Sequence, residues 1–98
     1  MENKITISEM IALHLKKIGV RKVFGVPGGG SSLDLIDAFD KLDIEFHLVK
    51  REDTAVIMAS VFGELTGSIG VALVTKGPGL SNSINGIAYS SLDRSPLI

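Results

Sequence analysis

Apolar residues recur along the chain in two alternating rhythms, one of helical period and one of short continuous runs. Ile11, Leu15 and Ile18 stand at i, i+4 and i+7, with Met10 and Leu13 beside them, which predicts one face of a helix. Thr6-Ile7-Ser8-Glu9 has the spacing of a capping box, a hydroxyl at the N-cap and a carboxylate three residues on, so the helix should begin there. Lys16 and Lys17 place cations in its last turn and Gly19 is a natural stop. Val23-Phe24-Gly25-Val26, closed by Pro27-Gly28-Gly29-Gly30, reads as a buried strand running into a permissive loop. Ser31 or Ser32 can cap the next helix, whose Leu35, Phe39 and Leu42 again share a face. The pattern then repeats. Phe46 to Val49 is strand-like, and Glu52 to about Leu65 reads as a helix ending before Gly67. Gly70 to Thr75 is a third strand, Gly77-Pro78-Gly79 a turn, and Leu80 to Leu92 a fourth helix.

Apolar strands without a polar face, alternating with helices, predict an α/β fold: a parallel sheet with helices on both faces, flavodoxin-like or Rossmann-like in three layers. Ser95-Pro96-Leu97-Ile98 looks like a fourth strand just starting, so residues 1–98 are expected to be the N-terminal portion of a larger domain. With 98 residues there is room for one core, and 45% apolar residues against 21% charged is the balance of a chain that buries one. Ten basic and eleven acidic residues leave no positive field to gather nucleic acid or an anionic membrane. The absence of cysteine excludes disulfides, thiolate metal sites and a cysteine nucleophile, and two histidines, His14 and His47, make a poor basis for a metal site. The polar start Met1-Glu2-Asn3-Lys4 lacks the order of a signal peptide, and no apolar run nears the roughly 18 residues of a membrane span. A cytoplasmic protein is the expectation.

Ligands of open parallel sheets sit outside the carboxyl ends of the strands, and three loops leave such ends here: 27–32, 50–53 and 76–82. The Gly28-Gly29-Gly30 run fits neither GxGxxG nor GxxxxGK[ST], because Leu33 takes the place of the third glycine and no lysine follows. It serves either as a turn needing positive φ or as a place where backbone approaches a ligand. Glu52 follows a strand and opens a helix rich in small side chains, Thr54, Ala55, Ala59, Ser60 and Gly63, which can pack closely and set the carboxylate deep in the rim. The helix N-terminus alone would also favour an acid at this point. In Gly77-Pro78-Gly79-Leu80-Ser81-Asn82 the proline suits a first helical turn, and Asn82 should point back along the same rim.

Taken together, Val23 to Gly29, Arg51-Glu52 followed by Ala55, Met58 and Ala59, Thr75 to Asn82, Gly86-Ile87-Ala88 and Leu92 to Pro96 resemble the pyrimidine-binding domain of thiamine diphosphate enzymes. The similarity lies in the branch that holds acetolactate synthases and related 2-oxo acid decarboxylases and carboligases, and runs over about residues 5–98. It implies that Glu52 hydrogen-bonds N1′ of the aminopyrimidine, favouring the tautomer whose 4′-imino group takes the thiazolium C2 proton. A carboxylate in an apolar rim has the proton affinity for that task. It also implies that Pro27, Gly28, Gly29, Pro78, Gly79 and Asn82 line the pyrimidine and substrate side of the pocket. The diphosphate and its Mg²⁺ would belong to a separate domain of the same or a partner subunit, so that this chain contributes no metal ligand and lacks turnover alone.

The resemblance further implies a homo-oligomeric parent that decarboxylates or ligates a 2-oxo acid, and leaves open whether that parent carries FAD. Several positions depart from the pattern. Arg51-Glu52-Asp53 replaces the common histidine before the glutamate and polar neutral residue after it, and Ser60-Val61-Phe62-Gly63-Glu64 replaces an acidic-Gly-Tyr-Ala-Arg stretch. The alternative function is a non-catalytic α/β binding or assembly module that kept this fold and lost the reaction.

Overall fold

The computed structural model describes residues 5–28, 31–75, 77–93 and 96–98. Its elements run α1 (Ile7–Lys17), β1 (Lys22–Gly25), α2 (Ser31–Lys41), β2 (Glu45–Leu48), α3 (Glu52–Thr66), β3 (Ala72–Leu73), α4 (Pro78–Asn82) and α5 (Ile84–Asp93). The capping box ahead of α1 forms in both directions: the Glu9 amide donates to Thr6 Oγ1 at 3.1 Å and the Thr6 amide to Glu9 Oε1 at 3.0 Å. At its other end Gly19, at φ +98°, lets the chain double back. The Gly19 amide then reaches the Lys16 carbonyl and the Val20 amide the Leu15 carbonyl, each at 3.0 Å.

The three strands form a parallel sheet in the order β2-β1-β3. Residues 96–98 lie beside β3, where Leu97 bridges Gly70 in parallel and the Ala72 amide donates to the Ile98 carbonyl at 2.9 Å. The expected fourth strand therefore begins on that side. Along β1, Val23 enters one core and Phe24 the other, because successive side chains of a strand point to opposite faces. Val23 joins Ala12 and Leu15 of α1 and Ala38 and Phe39 of α2. Phe24 packs with Ala55 and Ala59 of α3. Helices thus cover both faces, as the apolar runs implied.

The small side chains of α3 do what their size permits. Ala55, Val56, Ala59, Ser60 and Gly63 are buried, and α5 presses so close that a Cβ on Gly86 would stand 2.7 Å from the Asp53 carbonyl oxygen. The hydroxyls of Ser60 and Ser90 meet in this interface, each also 2.9 Å from a carbonyl of its own helix, Val56 O and Gly86 O, so that each donates its one proton either to the other or to its own helix. His47 stacks on Phe24 with ring centroids 5.2 Å apart, and its Nε2 lies 3.2 Å from Glu45 Oε2.

Four expectations are corrected. The core face of α1 is Ala12 and Leu15, while Ile11 and Ile18 are largely exposed, because apolar residues wrap most of this helix. β2 is an edge strand and half-exposed, with Leu48 70% accessible, so it is not buried on both faces. α2 begins at Ser31, so Ser32 lies inside the helix and does not stand before it as its cap. The single helix expected over Leu80 to Leu92 is two: Pro78 opens α4 at its first turn, and the chain breaks at Ser83, whose hydroxyl bonds back to the Leu80 carbonyl at 2.6 Å. Among the described residues no helix is long and apolar enough to cross a membrane.

Candidate functional site

Strand order reverses direction between β1 and β3, so the loops leaving these strands flank the crevice where parallel α/β sheets hold ligands. The two loops touch there. A Cβ on Gly28 would collide with the Thr75 side chain, and one on Gly79 would come within 2.8 Å of Thr75 Cγ2. Glycine at both positions lets the backbones close around Thr75, a contact that spacing alone did not reveal. Pro27 is half-buried, Gly79 buried, and Gly28 and Pro78 exposed at the rim. Gly29 and Lys76 lie outside the described residues.

Glu52 is the first residue of α3, directly after the extended Arg51 that caps the helix without a side-chain bond. It is half-buried and lines a cleft of about 520 Å³ together with Lys50, Arg51 and Asp53 of its own segment and Ser81, Asn82, Ile84 and Asn85 of α4 and α5. Glu52 and Asn82, singled out from separate motifs, are therefore neighbours in space. Pro27, Gly28, Pro78 and Gly79 do not line this cleft. The surroundings differ from the apolar rim expected for Glu52, since most of the lining side chains are polar or charged. Ser81 and Asn85 are further lining residues; their signal in the sequence is a run of polar residues poor in helix propensity around Asn82, at the point where α4 gives way to α5.

Arg51 and Asp53 pair across Glu52. Arg51 Nε donates to Asp53 Oδ1 and Nη2 to Oδ2, both at 3.1 Å, and the Thr54 amide donates to Asp53 Oδ1 at 2.8 Å. The Arg51 hydrogen bonds, with the Thr54 amide after them, hold the Asp53 carboxyl below the usual carboxylate range. The Glu52 carboxylate takes no hydrogen bond from the described residues. A carboxylate at a helix start with open acceptor positions, in a cleft that a side-chain amide also lines, fits an aminopyrimidine, which offers a ring nitrogen able to share a proton. Among the described residues no group of three His, Cys, Asp or Glu side chains is placed to hold a metal ion.

A parallel α/β sheet with its cleft at the strand ends defines a ligand-binding domain of the doubly wound class. The family described as "Thiamine pyrophosphate enzyme, N-terminal TPP binding domain" matches residues 5–98, and the chain belongs to it. The chain is 45% identical over 92 residues to the acetolactate synthase isozyme 3 large subunit of Escherichia coli (strain K12), covering 93% of this chain and 16% of that protein. It is 43% identical over 96 residues to the acetolactate synthase large subunit of Haemophilus influenzae, covering 97% and 17%. To 2-hydroxyacyl-CoA lyase 2 of Bos taurus it is 40% identical over 90 residues, covering 92% and 14%. The chain thus spans about a sixth of the length of the acetolactate synthase subunits that it matches.

Proposed function

We propose that this chain forms the pyrimidine side of the cofactor site in a thiamine diphosphate-dependent enzyme that decarboxylates or ligates 2-oxo acids. The observation that carries this is the Glu52 carboxylate, at the start of α3 and without a hydrogen-bond partner among the described residues, in a cleft that Asn82 also lines. Family membership and the similarity to acetolactate synthase subunits support the same assignment. Thiamine diphosphate, when bound, supplies a thiazolium ring that accepts the electron pair released from a 2-oxo acid.

The chain's own residues hold and orient that cofactor. Glu52 would share a proton with ring nitrogen N1′ from its place at the start of α3. Asn82 would offer an amide donor and an acceptor from the opposite wall. The close-packed turn of Gly28, Thr75 and Gly79 would exclude water from the strand-end side, next to Pro27 and Pro78 and outside the lining of the cleft itself. The diphosphate and Mg²⁺ fall to a separate domain of the same or a partner subunit, in a homo-oligomeric, cytoplasmic parent.

The full-length protein, supplied with thiamine diphosphate and Mg²⁺ and offered short 2-oxo acids, should release CO₂ in a cofactor-dependent way. Failure to do so with every 2-oxo acid offered would leave a non-catalytic binding or assembly module that retains the fold.

A further inference from the structure

Arg51 is the feature of the cleft that works against a proton-sharing role for Glu52. A guanidinium is charged at any ordinary pH, and beside a carboxylate it favours the ionised form and occupies its acceptor positions. Left to itself, Arg51 would turn to the neighbouring Glu52. The structure places it elsewhere. Its fork closes on Asp53 through two parallel bonds of 3.1 Å, while the Glu52 oxygens stay open. Asp53 is the anchored member of the pair, its side chain 17% exposed against 74% for Arg51 and its Oδ1 also held by the Thr54 amide.

Residues i and i+2 of a continuous helix do not face one another. Here they meet because Arg51 is extended, at φ −135° and ψ 141°, outside the helix, and Asp53 is already in its first turn. We propose that Asp53 is a positioning residue for Arg51: its two-point grip keeps that cation off the Glu52 carboxylate, and so leaves Glu52 free to share a proton with the ring nitrogen of a bound heteroaromatic ligand. Asp53 accordingly dominates the rise in Arg51 proton affinity, with the Glu52 charge the smallest contributor. Among the described residues, the charged groups that line the cleft with Glu52 are Lys50, Arg51 and Asp53, and α4 and α5 line it with the neutral Ser81, Asn82, Ile84 and Asn85. From the sheet, β3 offers no charge, and the one charged residue of β1, Lys22, stands at that strand's opposite end.

This inference takes from the proposed function only the task assigned to Glu52, and its test needs no cofactor. The Glu52 side-chain carboxyl is titrated by carbon-13 NMR in the full chain, its signal assigned by disappearance in Glu52→Gln. Asp53→Asn keeps an oxygen for the Thr54 amide but gives up the charge, and Arg51→Lys keeps the cation but loses the fork. Each should lower the Glu52 midpoint by about half a unit or more, as the cation turns to Glu52. The double variant Arg51→Gln/Asp53→Asn should bring the midpoint back to the parent value. A midpoint unmoved in either single variant, or still lowered in the double variant, overturns the proposal and leaves the thiamine assignment to stand on its own test. Arg51→Lys is decisive, because it changes no charge: a role confined to local stability, or a simple sum of nearby charges, would leave the midpoint where it was.

Discussion

Glu9 and Asp53 are carboxylates whose proton affinity the fold lowers, and in each the largest cause is a hydrogen bond at the start of a helix. The Thr6 amide does this for Glu9, and the Arg51 guanidinium for Asp53. A carboxyl with a lowered folded value stabilises the native state above its unfolded value, and the contribution is lost as pH falls through the folded one. Urea unfolding followed from neutral pH into acid should therefore show stability falling through and below the ordinary carboxylate range, and Glu9→Gln should lose less on acidification than the parent. A Glu9→Gln variant with an identical acid dependence would contradict the capping bond. Glu52 could be singled out from the sequence because it follows a strand and opens a helix. The Arg51–Asp53 pair could not, since an i, i+2 spacing has no meaning until the helix boundary between the two residues is known.

Helix boundaries and faces set how far the elements themselves could be anticipated. The cap of α1 was plain because hydroxyl and carboxylate stand at fixed spacing, and Thr6→Ala should cost about 1 kcal/mol in chemical unfolding. Its buried face was not plain. Ile7, Met10, Ile11 and Leu13 give it apolar residues nearly all round, and only packing against α2 and the sheet selects Ala12 and Leu15. The α4–α5 break was hidden for another reason: Ser83 is buried and its hydroxyl competes locally for the Leu80 carbonyl, which no apolar periodicity records. The α3–α5 contact follows from small residues alone. Ser60→Leu would force a large side chain between the two helices and should destabilise the fold by about 1–3 kcal/mol, measured by thermal or urea melts. Unchanged stability would mean that these helices are not packed this closely.

Across the whole molecule, the alternation of apolar runs and helical periods was enough to predict a parallel sheet with helices on both faces, although one core was expected and a cluster forms on each face of the sheet. Edge exposure of β2 was beyond that pattern, since strand order is fixed only by which strands pair. The same order brings the loop after β1 against the loop after β3, and sets the start of α3 opposite α4 and α5. The cofactor site proposed above would depend on a carboxylate held at one point of this framework. In the full-length protein loaded with thiamine diphosphate, the exchange rate of the cofactor's C2 proton with deuterated solvent reports that contact directly. Glu52→Gln should slow the exchange by roughly 10²–10⁴-fold while the protein remains folded. Exchange at the parent rate in that variant would show that Glu52 does not hold the ring nitrogen.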